Sequence, residues 1–197
     1  MKKSLPLFLC AAALAVAGCN NEGDADTAAP AGNNGEAAGE GGEQTISASV
    51  DQNSKFFQAA KATGLDATLN GPGPYTILVP DDAAFTAAGT GPLSDPANTQ
   101  NRAEITRILT YHILPGVILA EDISKAIDNN DGKTVLATMG GETLTATKEG
   151  DKIVLSDSAG KKATIGQADQ KASNGVIHHV NAVLSPAPAG EAPADNG

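Results

Sequence analysis

Hydrophobic positions fall into three regimes along the chain. Leu5 to Val16 is apolar apart from Pro6, whereas residues 20–43 are almost entirely Asn, Gly, Ala, Asp and Glu with a single Pro. From Thr45 onward apolar residues recur with a period, first helical and then strand-like, until the Ala/Pro-rich end that begins at Pro186. No internal repeat is present.

The helical period comes first. Ser49-Val50-Asp51-Gln52 has capping-box spacing; Phe56, Phe57, Ala59 and Ala60 follow, with Lys61 in the last turn and Gly64 as the stop. Gly71-Pro72-Gly73-Pro74 predicts a turn into a strand from Tyr75 to Val79, which Pro80 ends. Asp81 and Asp82 then offer a cap and favourable charge for a short helix through Phe85. Ile105, Ile108, Leu109 and His112 give a helical stripe over Thr99 to His112, stopped by Pro115-Gly116. Beyond Asp131 the period becomes two. Thr134 to Thr138, Thr143 to Thr147, Lys152 to Leu155, Ala163 to Gln167 and Val176 to Leu184 read as strands separated by turns at residues 139–141, 148–151 and 157–161. The expected class is α+β, a β-meander with helices gathered in the N-terminal half.

The ends carry their own chemistry. Lys2 and Lys3 precede an apolar run too short to span a membrane, which takes about 20 residues, so the start reads as a secretory leader. It closes on Val16-Ala17-Gly18-Cys19, a lipobox in which Cys19 receives lipid. The expected organisation is a lipoprotein signal peptide over 1–18, a lipidated Cys and disordered acidic tether over 19–43, a folded domain over 44–186 and a disordered tail over 187–197. The tether has six acids and no base and too little apolar surface to order itself; as a flexible coil it spans roughly 25–30 Å. Several acyl chains on one Cys suffice for stable anchoring. The expected location is therefore a bacterial membrane, given as the outer membrane on its periplasmic or cell-surface side, with inner and outer membrane both left open by the sequence.

Charge and cysteine content narrow the function. A net charge of −10 with no polybasic patch argues against nucleic acid. Of the two cysteines, Cys10 leaves with the leader and Cys19 is acylated, so no disulfide and no thiol chemistry is expected. His112, His178 and His179 are the three imidazoles. Adjacent strand residues point to opposite faces, so His178 and His179 are poorly placed to share a metal ion, and His112 on its apolar stripe reads as a hydrogen-bonded core residue. Nucleophilic catalysis needs a nucleophile beside a base; no Gly-x-Ser-x-Gly and no phosphate loop is present, and Asp81-Asp82 reads as a cap. No metal, cofactor or catalytic residue is expected.

Three segments in register resemble the fasciclin family: Tyr75 to Phe85 with its strand, Pro80, polar pair and Ala-Phe; Tyr111-His112-Ile113-Leu114-Pro115-Gly116; and Asn174-Gly175-Val176-Ile177-His178 through Leu184 and Pro186. Asp81 stands where the family usually has Thr or Ser, His179 where it has an apolar residue, and Asn181 where Asp is common. The resemblance implies a wedge-shaped β-sandwich flanked by helices. It implies no shared catalytic activity, and a role in adhesion or contact with an envelope or matrix protein or a polysaccharide. It marks Thr76, Pro80, Asp81, Phe85, Tyr111, His112, Asn174, Gly175 and His178 as structural or partner-binding. Tyr111-His112 is a receptor-contact element in some members, whereas helical spacing turns His112 inward. The alternative implied role is carriage of an apolar small molecule such as a carotenoid; an aromatic content of 3% with no Trp gives it little to stack on.

Overall fold

A computed structural model describes residues 42–88, 91–95 and 99–187. The leader, Cys19, the tether up to residue 41 and the tail from 188 lie outside the described residues.

The first helices are short and set by local caps. α1 (Ile46–Ser49) is one turn, capped by the Thr45 hydroxyl. α2 (Lys55–Thr63) begins at Ser54, whose Oγ accepts the Phe57 N–H at 3.2 Å, and ends at Gly64 in the left-handed conformation, φ 83°. Gly64 is thus the expected stop, for the expected reason: only glycine takes that conformation freely. The cap is Ser54 rather than Ser49. Ser49 closes α1, and Asp51 turns the chain by accepting the Asn53 N–H at 2.9 Å, which delays helix entry. α3 (Asp66–Leu69) leads into the Gly-Pro turn.

β1 (Tyr75–Pro80) enters the core at once, and α4 (Asp82–Ala87) follows it with Asp81 as N-cap, its carboxylate 2.6 Å from the Ala84 N–H. After two short 3₁₀ turns comes α5 (Arg102–Tyr111), with Ile105, Ile108, Leu109 and Tyr111 buried. Two elements then depart from expectation. The helix stops before Pro115, because Ile113–Pro115 forms β2 against β1. Residues 120–129, left without an element by the sequence pattern, form α6 (Ala120–Asn129), which buries Ile123 and Ile127.

The second half is the expected meander: β3 (Lys133–Ala137), β4 (Thr143–Glu149), β5 (Lys152–Ser156), β6 (Lys162–Ala172) and β7 (Gly175–Val180). The seven strands form one sheet in the order β2-β1-β7-β6-β5-β4-β3, in which β1 and β7 run parallel and the other neighbours antiparallel. β6 changes partner along its length. Its start pairs with β5 up to Thr164, and the remainder pairs with β7 through register shifts between Ile165 and Gln170. Such irregularities bend a strand and raise its twist, which curls the sheet. Two apolar cores result. Phe56, Phe85, Ile105, Ile77 and Ile177 pack in the first, under the N-terminal helices; Leu78, Tyr111, Leu144, Leu155 and Ile123 pack in the second, inside the meander. The fold is α+β with its helices concentrated before the meander, as the pattern indicated.

Candidate functional site

The three signature segments meet on the parallel pair β1–β7. Thr76 lies opposite Val176, Leu78 opposite His178, and Pro80 opposite Val180. Both strands are central and covered on both sides, so their polar side chains must find partners inside.

Thr76 is fully buried. Its hydroxyl donates to the Gly116 carbonyl at 2.8 Å and accepts the Ile118 N–H at 2.9 Å. His178, equally buried, takes the carbonyl of the same Ile118 at 2.9 Å with Nε2 and accepts the Asp169 N–H at 3.1 Å on Nδ1. Asp169 then accepts the Ala120 N–H at 2.8 Å, at the first turn of α6. Two signature side chains and one aspartate therefore fix the loop between β2 and α6 and start the helix. Burial holds the His178 imidazole below its ordinary pKa, against the opposing pull of the Ile118 carbonyl and the Asp169 charge.

His112 ends α5 and lies 1% exposed. Nδ1 bonds the Ile108 carbonyl at 2.8 Å, and Nε2 accepts the Leu184 N–H at 3.2 Å. Burial, the largest cause, brings its pKa down to about 4. The ring is hydrogen-bonded in the core, at the helix cap rather than within the helix. Tyr111 stands edge-on to it, the ring centroids 6.5 Å apart, and donates its hydroxyl to the Thr143 carbonyl at 2.9 Å. Burial and the nearby Asp157 and Glu142 charges raise the pKa of that phenol.

Asn174 uses its whole amide. Oδ1 accepts the Ile46 N–H at 2.8 Å, and Nδ2 donates to the carbonyls of Leu69 and Gly71 at 3.0 and 2.7 Å. At Gly175 a β-carbon would collide with the Tyr75 carbonyl oxygen, so β1 and β7 approach as closely as they do only over glycine. Phe85 fills the first core, and Pro80 closes β1 in a buried position. Asp81 and Asp82 divide the capping work: Asp81 serves α4, whereas Asp82 Oδ1 accepts the Lys55 N–H of α2 at 2.9 Å.

His179 differs from its neighbour. It is half-buried on the opposite face of β7, and Nε2 meets Gln170 Oε1 at 3.0 Å. Among the described residues, no group of three or more His, Cys, Asp or Glu is placed to hold a metal ion. Two anchors carried no motif. One is Asp169, at φ 58°. The other is Asp157, whose carboxylate accepts from Ala159, Lys161 and Ser185; the Asp-Ser-Ala-Gly turn was its one signal.

A surface groove of 390 Å³ lies where β6 parts from β5. Its walls mix Ile153, Ile165 and Ala168 with Asp151, Lys152 and Asn181, with no aromatic ring among them. Among the described residues, no helix is long and apolar enough to cross a membrane.

A family model described as the fasciclin domain matches residues 51–186. Protein sll1483 of Synechocystis is 32% identical over 141 residues, covering 72% of this chain and 71% of that protein. A second Synechocystis protein, the uncharacterized protein sll1735, is 30% identical over 141 residues, covering 71% of this chain and 93% of its own length. The pig transforming growth factor-beta-induced protein ig-h3 is 28% identical over 133 residues, 68% of this chain but 17% of that protein. Among solved structures, a FAS1 domain pair from the insect cell adhesion molecule fasciclin I superposes with a TM-score of 0.61 at 18% identity, over 72% of this chain. The match spans 50% of that domain pair.

Proposed function

The chain belongs to the fasciclin domain family, and from that membership we propose that it is a non-catalytic interaction module held at a bacterial envelope by a lipid on Cys19. Its partner is an envelope or matrix protein, or a surface polysaccharide. The observation that carries this reading is the fate of the signature side chains. Thr76, His112, Asn174 and His178 are buried with both hydrogen-bonding ends engaged by backbone. Groups so committed position loops, and their burial keeps them out of a substrate's reach. Recognition then falls to the surface. The carrier reading gains little, since the groove beside β6 offers a polyene no ring to stack on and places Asp151 and Lys152 in its wall.

Two measurements test the proposal. Mass spectrometry of the mature chain should find acyl mass on Cys19, and Cys19→Ala should release the protein from the membrane fraction; an unacylated wild type, or a variant equally membrane-bound, defeats the anchor. Cross-linking of the full-length chain in its native envelope should capture a protein or glycan. A chain that instead purifies with an extractable pigment or lipid would favour the carrier.

A further inference from the structure

The sheet is not closed. Its two end strands, β2 and β3, do not pair; the chain just past β3 touches β2 through one backbone hydrogen bond among the described residues, from the Met139 N–H to the Ile113 carbonyl at 2.7 Å. Continued antiparallel from that bond, the register would set Ala137 against Pro115 and Val135 against Val117. It does not continue: no pairing joins β2 to β3 among the described residues. Pro115 has no N–H to give, and Gly116 turns away at φ 89°.

The consequence is an open backbone edge. Thr138 donates its N–H to Glu142 across the β3–β4 hairpin, at 3.0 Å. Bonded and non-bonded pairs alternate in an antiparallel ladder, so Leu136 and Thr134 also bond toward β4. Val135 and Ala137 therefore aim their N–H and C=O groups outward, the side on which Met139 finds Ile113. Among the described residues no partner meets them. The three exposed large hydrophobic residues described, Val117 at 47%, Val135 at 61% and Met139 at 46%, all border this seam.

Soluble proteins blunt a free edge with a charge, a proline or a bulge at its centre. This edge has valine there. Its composition also suits a second copy of the same chain. β3 carries no acid, and the residues beside it on β4, Thr143, Thr145 and Thr147, are uncharged. On a chain of net charge −10, that is where two copies can approach with little repulsion. An antiparallel pairing centred on Val135 is self-complementary: Val135 meets the partner's Val135, and Lys133 meets the partner's Ala137, so no like charges oppose.

We propose that β3 is a self-pairing edge, through which two copies join their sheets about a two-fold axis at Val135. This stands apart from the identity of any other partner. The interface is small, so the dimer is weak and fills only at high local concentration, as on a membrane surface.

Sedimentation of the full-length chain in detergent, from low micromolar to millimolar concentration, should show a reversible monomer–dimer equilibrium. Val135→Lys should raise the dissociation constant about tenfold or more without changing the melting temperature at low concentration, where the chain is monomeric. Ala137→Pro, which deletes an N–H that bonds nothing within the monomer, should act in the same direction. The amides of Val135 and Ala137 should gain protection from exchange as the dimer fills. A chain that stays monomeric, a dimer indifferent to both substitutions, or protection of these amides only when another envelope component is added would overturn the proposal.

Discussion

His112 and His178 are held in opposite tautomers. The Leu184 N–H points at Nε2 of His112, so that nitrogen must be the acceptor and Nδ1 carries the proton toward Ile108. The Asp169 N–H points at Nδ1 of His178, so there Nε2 carries the proton, toward Ile118. Each ring is a two-ended clip between backbone segments distant in sequence. Each works only while neutral, because protonation turns its accepting nitrogen into a second donor facing an N–H.

That requirement makes stability depend on pH. The His112 pKa is about 4 in the folded chain, against about 6.5 when unfolded. As pH falls through the unfolded value, the unfolded chain takes up the proton first, so stability declines between about pH 6.5 and pH 4 and this contribution levels off below. The full loss from His112 is about 3 kcal/mol; His178, shifted in the same direction, adds loss of the same sign. Urea melts across that window should show it, and a His112→Asn chain should have a shallower slope. Equal slopes would mean the ring is not buried neutral.

Removing the rings separates scaffold from surface. His112→Ala and His178→Ala each leave a cavity and an orphaned backbone N–H, and each should cost about 2 kcal/mol or more. His179→Val, at a half-buried position whose ring meets Gln170 Oε1, should cost under about 1 kcal/mol. Denaturant melts of the three variants decide the matter. If the first two melt like wild type while partner binding disappears, those rings face the partner.

The features visible in the sequence are those whose cause is local. Gly64 ends α2, Asp81 caps α4, and the five meander strands follow from residues within a few positions of each other. β2 and α6 escaped for the opposite reason. Three residues directly after a helix become a strand only because β1 lies beside them, and α6 buries just two large side chains and takes its first bond from Asp169, 49 residues on. Ser49 misled because Ser-x-x-Gln matches a capping box in spacing alone, and the turn at Asp51 intervenes. The parallel meeting of β1 and β7 leaves no periodic trace at all. Three matching segments could mark Thr76, His112 and His178, but not show that each clips a separate stretch of backbone.

Asn174 and Gly175 should be the least replaceable neighbours in the chain. Asn174→Ala orphans the buried Ile46 N–H and two carbonyls at once, and Gly175→Ala drives a methyl into the Tyr75 carbonyl. Each should cost about 3 kcal/mol or more, from unpaired buried groups in one case and backbone displacement in the other. Chemical denaturation of the two variants measures this; a loss under about 1 kcal/mol for either would show that the turn before β1 can rearrange freely.

Thr76 offers the sharpest test of the clip arrangement, because valine has nearly its shape and none of its bonds. Thr76→Val keeps the packing of β1 and strands the Gly116 carbonyl and the Ile118 N–H, which no other described side chain reaches. The cost should be about 1–3 kcal/mol, the penalty of buried groups left unpaired. More telling is where the damage falls. His178 still holds the Ile118 carbonyl, and Asp169 still holds the Ala120 N–H, so α6 should persist while the loop between β2 and α6 opens more often. Hydrogen exchange should therefore quicken at Ile118 and Leu119 and stay unchanged in α2, whose caps lie in the other core. Thr76→Ser restores the hydroxyl but not the methyl, and it should recover most of the lost stability and slow exchange again. If valine instead melts like wild type while serine is damaging, the β-branched shape matters and the hydroxyl does not, and the loop is held by packing alone.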